Sequence, residues 1–240
     1  MKKRLSSLLR LIIGIALLPA ALAALVAAAR ALGALAENKS AARWFLAGAA
    51  AYPLLHAAAT GLGLSLGGAR RTCYVLAHEL THAIAAWMSG YRVHRLRVGA
   101  GGGHVDTSHV NAFVALAPYI VPLYALAVVA GYRVWLWHAG PHPGPAAYPV
   151  FLAALGAALS FHWLFTGDAR WSVRQPDLAM AGGLVFSLPL IALGNGLVVL
   201  VALKCLFPSL VSLSAAGRLA WEFTRRPVAL LVAAADGVKK

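Results

Sequence analysis

Polar residues are scarce in six stretches of the chain, at about 5 to 29, 44 to 66, 72 to 89, 110 to 131, 148 to 166 and 179 to 206. A hydrocarbon core of roughly 30 Å takes about 20 helical residues to cross, and each stretch is close to that length or longer. The pattern predicts six transmembrane helices. The first follows Met1-Lys2-Lys3-Arg4, as a secretory leader would, but its apolar run exceeds a signal peptide's and predicts a retained span. Between the third and fourth stretches, residues 92 to 108 form two short β-branched runs around a glycine-rich turn, which predicts a β-hairpin. From Phe207 onward, Arg218, Arg225, Arg226, Lys239 and Lys240 are set among apolar residues, predicting an interfacial helix and a basic tail. The expected fold is thus an all-α polytopic membrane protein with a small hairpin, its transmembrane domain covering 1–206 and its tail 207–240.

Composition agrees with this pattern. Hydrophobic residues make up 61% of the chain and charged residues 12%, and the mean hydropathy of +0.75 exceeds that of soluble domains. A net charge of +14 would suit a nucleic-acid binder, but the Lys and Arg residues cluster between and beyond the apolar stretches. Lipid headgroups are the expected partners there, and no nucleic acid. Six crossings from a cytoplasmic N-terminus would put Arg92, Arg95, Arg97, Arg170 and Arg174 outside, against the positive-inside rule, unless the first segment does not span. Cys73 and Cys205 form neither a disulfide framework nor a C-x-x-C pattern, and are read as packing residues. Pro118 and Pro122 in the fourth stretch and Pro189 in the sixth predict kinks that free carbonyls and admit water.

Candidate chemistry enters with residues 78 to 82, His-Glu-Leu-Thr-His, inside the third stretch. On a helix His78 and His82 lie about one turn apart on one face, where two imidazoles can share a metal ion. A catalytic zinc takes three protein ligands and leaves a position for water, whose proton Glu79 can accept. Two His and one Glu within five apolar-flanked residues cost too much desolvation to serve packing alone. The metzincin continuation of this motif is excluded, because Ala85 and Met88 stand where it has Gly and His. Spans four and five separate the segment 90 to 109 from the segment 167 to 178, so both face one side, and Asp177 enters the membrane where the hairpin lies. As third ligand the residues leave Asp177, His162 and Asp168 open, with Glu222 ranked last.

These residues resemble the site-2 proteases, intramembrane zinc metalloproteases, as a divergent bacterial-type member. The resemblance covers roughly 72–200. It rests on His78–Ala83, on Gly101-Gly102-Gly103-His104-Val105-Asp106 as the family's hairpin, on Leu116–Leu123 as the following helix, and on Gln175-Pro176-Asp177-Leu178 with Gly182-Gly183 in place of the family's Asp motif. It implies zinc held by His78, His82 and Asp177, with Glu79 as general base. His162 is kept as a supporting or alternative ligand. Gly102, Gly103, His104 and Val105 are the expected substrate-binding edge, since an extended peptide can add to a strand. The implied function is hydrolysis of membrane-embedded or juxtamembrane peptide, by a multi-pass protein of a bacterial cell membrane. A non-catalytic metal-binding scaffold or cation transporter is the alternative.

Overall fold

The computed structural model describes residues 2–62, 67–99, 101–140, 144–172 and 176–237. Among them the chain forms α1 (Lys2–Glu37), α2 (Lys39–Gly61), α3 (Gly67–Met88), β1 (Val93–Gly99), β2 (Gly102–Thr107), α4 (Ala112–Ile120) and α5 (Leu123–Ala139), then α6 (Ala147–Ser172), α7 (Pro176–Ala181), α8 (Leu184–Leu206) and α9 (Leu213–Gly237). They fall into two compact units, one of Met1–Asn38 with Gly182–Lys240 and one of Lys39–Ala181.

In the first unit α1 packs along α8 and also meets α9. The α1 side of this packing is alanine-rich, with Ala21, Ala23, Ala24, Ala27 and Ala28 all buried. A Cβ placed on Gly196 of α8 would come within 2.8 Å of the Ala24 Cβ. Small residues are what close helix contacts in lipid require, because there association depends on dispersion and hydrogen bonds.

The second unit has the same kind of contact between α2 and α6. A Cβ on Gly48 would strike the backbone of Ala153, and one on Gly156 would strike the carbonyl of Phe45. Beside them, Ser160 Oγ donates to the Ala49 carbonyl at 2.6 Å. The Cβ of a residue at 156 would also lie 2.8 Å from Ala49 N, a backbone atom that cannot swing aside. Gly156→Val should therefore force the pair apart and cost about 1 to 3 kcal/mol, seen as a lower thermal midpoint of the detergent-purified protein.

Three helices, Ser7–Glu37, Ala147–Gly167 and Leu184–Leu206, are long and apolar enough to cross a membrane, and the bent pair Ala112–Ile120 and Leu123–Ala139 adds a fourth if taken as one span. The chain is that of a membrane protein, with three or four such spans among the described residues where the sequence pattern predicts six. The difference is chemical. Helix α2 carries Arg43, Tyr52, Pro53 and His56 among its alanines, and α3 carries Arg71, His78, Glu79 and His82, so polar residues interrupt the apolar run of each.

Two predicted spans are interrupted. The stretch 110 to 131 breaks into α4 and α5, bent by 69°. Val121 precedes Pro122, and the proline ring pushes it out of the helical region to φ −90°, ψ 110°. The stretch 179 to 206 gives up its first turn: Gly182 (φ 141°) and Gly183 (φ 90°) adopt backbone that side-chain-bearing residues rarely tolerate, and they separate α7 from α8. Asp177 consequently sits on the short α7, ahead of the break. The first span is longer than predicted, since α1 continues helical to Glu37.

The hairpin forms where predicted. Strands β1 and β2 are antiparallel, with Arg95 opposite Asp106, Arg97 opposite His104, and an irregularity between Val93 and Arg95. Both strands pack on α3. The tail is helical as α9, with residues 238–240, and so Lys239 and Lys240, outside the described residues.

Candidate metal centre

One face of α3 builds the site. Residues 78, 82, 85 and 86 recur at helical spacing, so the stripe that presents the two histidines continues into Ala85 and Ala86. Those alanines are buried against Val114 and Ala117 of α4, with Tyr91 and Val93 packed on the same cluster. Their small size lets α4 approach closely enough for the Val114 carbonyl to reach His82 Nδ1 at 2.8 Å. Asn111 caps α4, accepting at 2.8 Å from Val114 N, and its amide nitrogen donates to Tyr91 Oη at 3.3 Å. The carbonyl that holds His82 is thus tied to the start of the hairpin.

A carbonyl only accepts, so His82 Nδ1 carries the proton and Nε2 of the neutral ring presents its lone pair. That Nε2 lies 3.2 Å from His78 Nε2. Asp177 Oδ2 stands 3.4 Å from His78 Nε2 and 3.5 Å from His82 Nε2. Three electron-pair donors this close demand a cation or a proton among them. For a tetrahedral ion with bonds of about 2.05 Å to N and O, neighbouring ligands are separated by about 3.3 Å. The three distances fit one face of such a tetrahedron, so His78, His82 and Asp177 can hold a metal ion with a fourth position left over.

The atoms around these ligands are of the kind that orient metal-binding side chains. Tyr74, one turn before His78, has its hydroxyl 3.3 Å from His78 Nδ1. The Tyr74 ring is stacked on Phe165 with centroids 5.0 Å apart. Tyr119, fully buried, donates to Asp177 Oδ2 at 2.8 Å. His82 and Asp177 are each only 9% exposed, which keeps competing water away from these bonds.

The three ligands line a cavity of about 980 Å³ together with Glu79 and, from β2, Gly102, Gly103, His104 and Val105. Gly103 is where β2 touches α3: a Cβ there would collide with Glu79 Cγ and lie 2.8 Å from Glu79 Oε1. The missing side chain at 103 is what allows the strand to lie directly beside the Glu79 carboxylate. On the exposed part of the strand His104 Nε2 pairs with Asp106 Oδ1 at 2.7 Å.

The structure thus gathers His78, Glu79, His82, Asp177 and the β2 segment around one space. His162, on α6, is not among the described residues that line it, although Phe165 one turn later is. The Asp168 side chain lies outside the described residues, and Glu222, on α9, belongs to the other unit. The sequence reading had no place for Tyr74, Tyr119, Asn111 or the Val114 carbonyl. Tyr74 had a usable signal, four residues before His78, and so had Asn111, an N-cap residue directly ahead of an apolar run.

Fold and site define a membrane protein with a candidate metal centre formed by His78, His82 and Asp177. Comparison with protein-family models, with curated proteins and with solved structures finds no match.

Proposed function

We propose that this protein is an intramembrane zinc metalloendopeptidase, akin to the site-2 proteases in its motifs, acting on membrane-embedded or juxtamembrane peptide. The observation that carries the reading is the triangle of His78 Nε2, His82 Nε2 and Asp177 Oδ2, with sides of 3.2, 3.4 and 3.5 Å, opening on a cavity that Glu79 also lines. Zinc held there would supply a Lewis acid and would lower the pKa of a water molecule in the open position. Glu79, adjacent to His78 and not needed as a ligand, would accept a proton from an attacking water on its carboxylate and return it to the leaving amine. Val114 holds His82 in the tautomer that offers Nε2.

A peptide bond in a helix has its carbonyl hydrogen-bonded and shielded, so cleavage requires extended substrate. Among the described residues β2 pairs only with β1. Its other edge offers main-chain groups to which an extended segment can add, at Gly102–Val105 in the cavity wall. In this reading α2 and α3 join α1, the α4–α5 pair, α6 and α8 as six crossings of a bacterial cell membrane.

The test is a purified full-length chain, its metal measured by mass spectrometry and its cleavage of a fluorogenic single-span peptide followed in detergent or vesicles. One zinc per chain is expected, with cleavage lost on chelation and restored by zinc. Bound metal without cleavage of any transmembrane peptide would assign the site to a scaffold or transporter, and cleavage that survives complete metal removal would reject the reading.

A further inference from the structure

The third ligand stands on a helix that does not hold itself in place. Helix α7 has six residues, and isolated helices below about 12 residues are marginal even in favourable sequences. Immediately after it the chain turns at Gly182 and Gly183. Among the described residues α7 packs chiefly on α4, and its apolar side chains Leu178 and Ala181 are buried. Helix α4 also contributes a hydroxyl that meets Asp177: Tyr119 donates to Oδ2 at 2.8 Å. That same oxygen faces both histidine nitrogens.

A carboxylate rotates easily about its last torsion, which has broad minima. A donor on one oxygen selects which oxygen is presented and at what angle, and a carboxylate oxygen has lone pairs enough for the phenol and a metal together. Tyr119 is fully buried, where a hydrogen bond to a charged carboxylate is stronger than one to a neutral group. Five residues before it, Val114 fixes His82 from the same helix.

We infer that Tyr119 is a positioning residue that latches Asp177 into the metal centre, so that α4 sets two of the three ligands. The inference rests on the metal-site reading above and goes beyond it. The latch is the hydroxyl alone, and the ring serves packing.

The experiment uses the full chain in detergent, with zinc affinity from competition against a chromophoric chelator and the visible spectrum of the Co²⁺-substituted protein. Wild type should bind one metal per chain. Tyr119→Phe keeps the ring and should weaken zinc by about 10-fold or more, the usual loss when a ligand's hydrogen-bond partner is removed, and should shift the Co²⁺ bands. Asp177→Asn should weaken zinc too, and adding Tyr119→Phe to it should cost nothing further. Wild-type affinity and spectrum in Tyr119→Phe would overturn the latch and leave the metal site standing, as would losses that simply add in the double variant. Absence of metal from wild type would remove the metal site itself. If Tyr119→Phe does not fold, the double variant decides: recovery of the fold when the charge is also removed supports the pairing, and no recovery assigns Tyr119 to packing.

Discussion

Glu79→Gln is expected to keep one zinc per chain and to lose proteolysis by about 10²- to 10⁴-fold, the range a positioned general base contributes. Glutamine has nearly the shape of glutamate, so contacts with β2 at Gly103 should survive. Its amide cannot accept the proton of an attacking water. The metal should stay because Glu79 is not one of the three atoms that converge; those belong to His78, His82 and Asp177. Mass spectrometry of the metal and cleavage of the same peptide, on one preparation, check both halves. Undiminished turnover would end the general-base assignment, while loss of the metal would move Glu79 into the ligand set.

His82→Ala is expected to empty the site. Two ligands on different elements remain, and the loss in affinity should exceed the roughly 10- to 100-fold that follows when only a supporting partner is changed. The variant also leaves the Val114 carbonyl without the Nδ1–H that met it at 2.8 Å, so a lower thermal midpoint should accompany the loss. His78→Ala should lose metal in the same way, with its effect on Tyr74 in place of Val114. Stoichiometric zinc in either folded variant would show that the ligands had been misassigned.

Much of the site was legible because its parts are local. His78 and His82 are four residues apart, and the period of a helix brings them to one face whatever the helix packs against. The hairpin was legible from β-branched runs around glycines, and Gly103 has a further use there, since nothing larger fits beside Glu79. Asp177 was expected on the hairpin side by counting six unbroken crossings. The structure puts it beside the histidines by another route, on a separate short helix packed on α4. Tyr119 lies 58 residues from Asp177 in sequence, and the contact of His82 with Val114 is to a backbone atom 32 residues away. No spacing rule reports either.

The sequence by itself determined that this chain belongs in a membrane, where its hairpin forms, and that His78, Glu79 and His82 share one helix, because hydropathy and periodicity act over a few turns. Only the tertiary structure decided where the apolar runs break, at Val121–Pro122 and Gly182–Gly183, since an apolar run reads as continuous whether or not the backbone inside it stays helical. It also decided which acid completes the triangle. That depends on how closely α4 can approach α3 across Ala85 and Ala86 and on α7 packing against α4, and such non-local contacts are a property of packed surfaces that no short stretch of sequence contains.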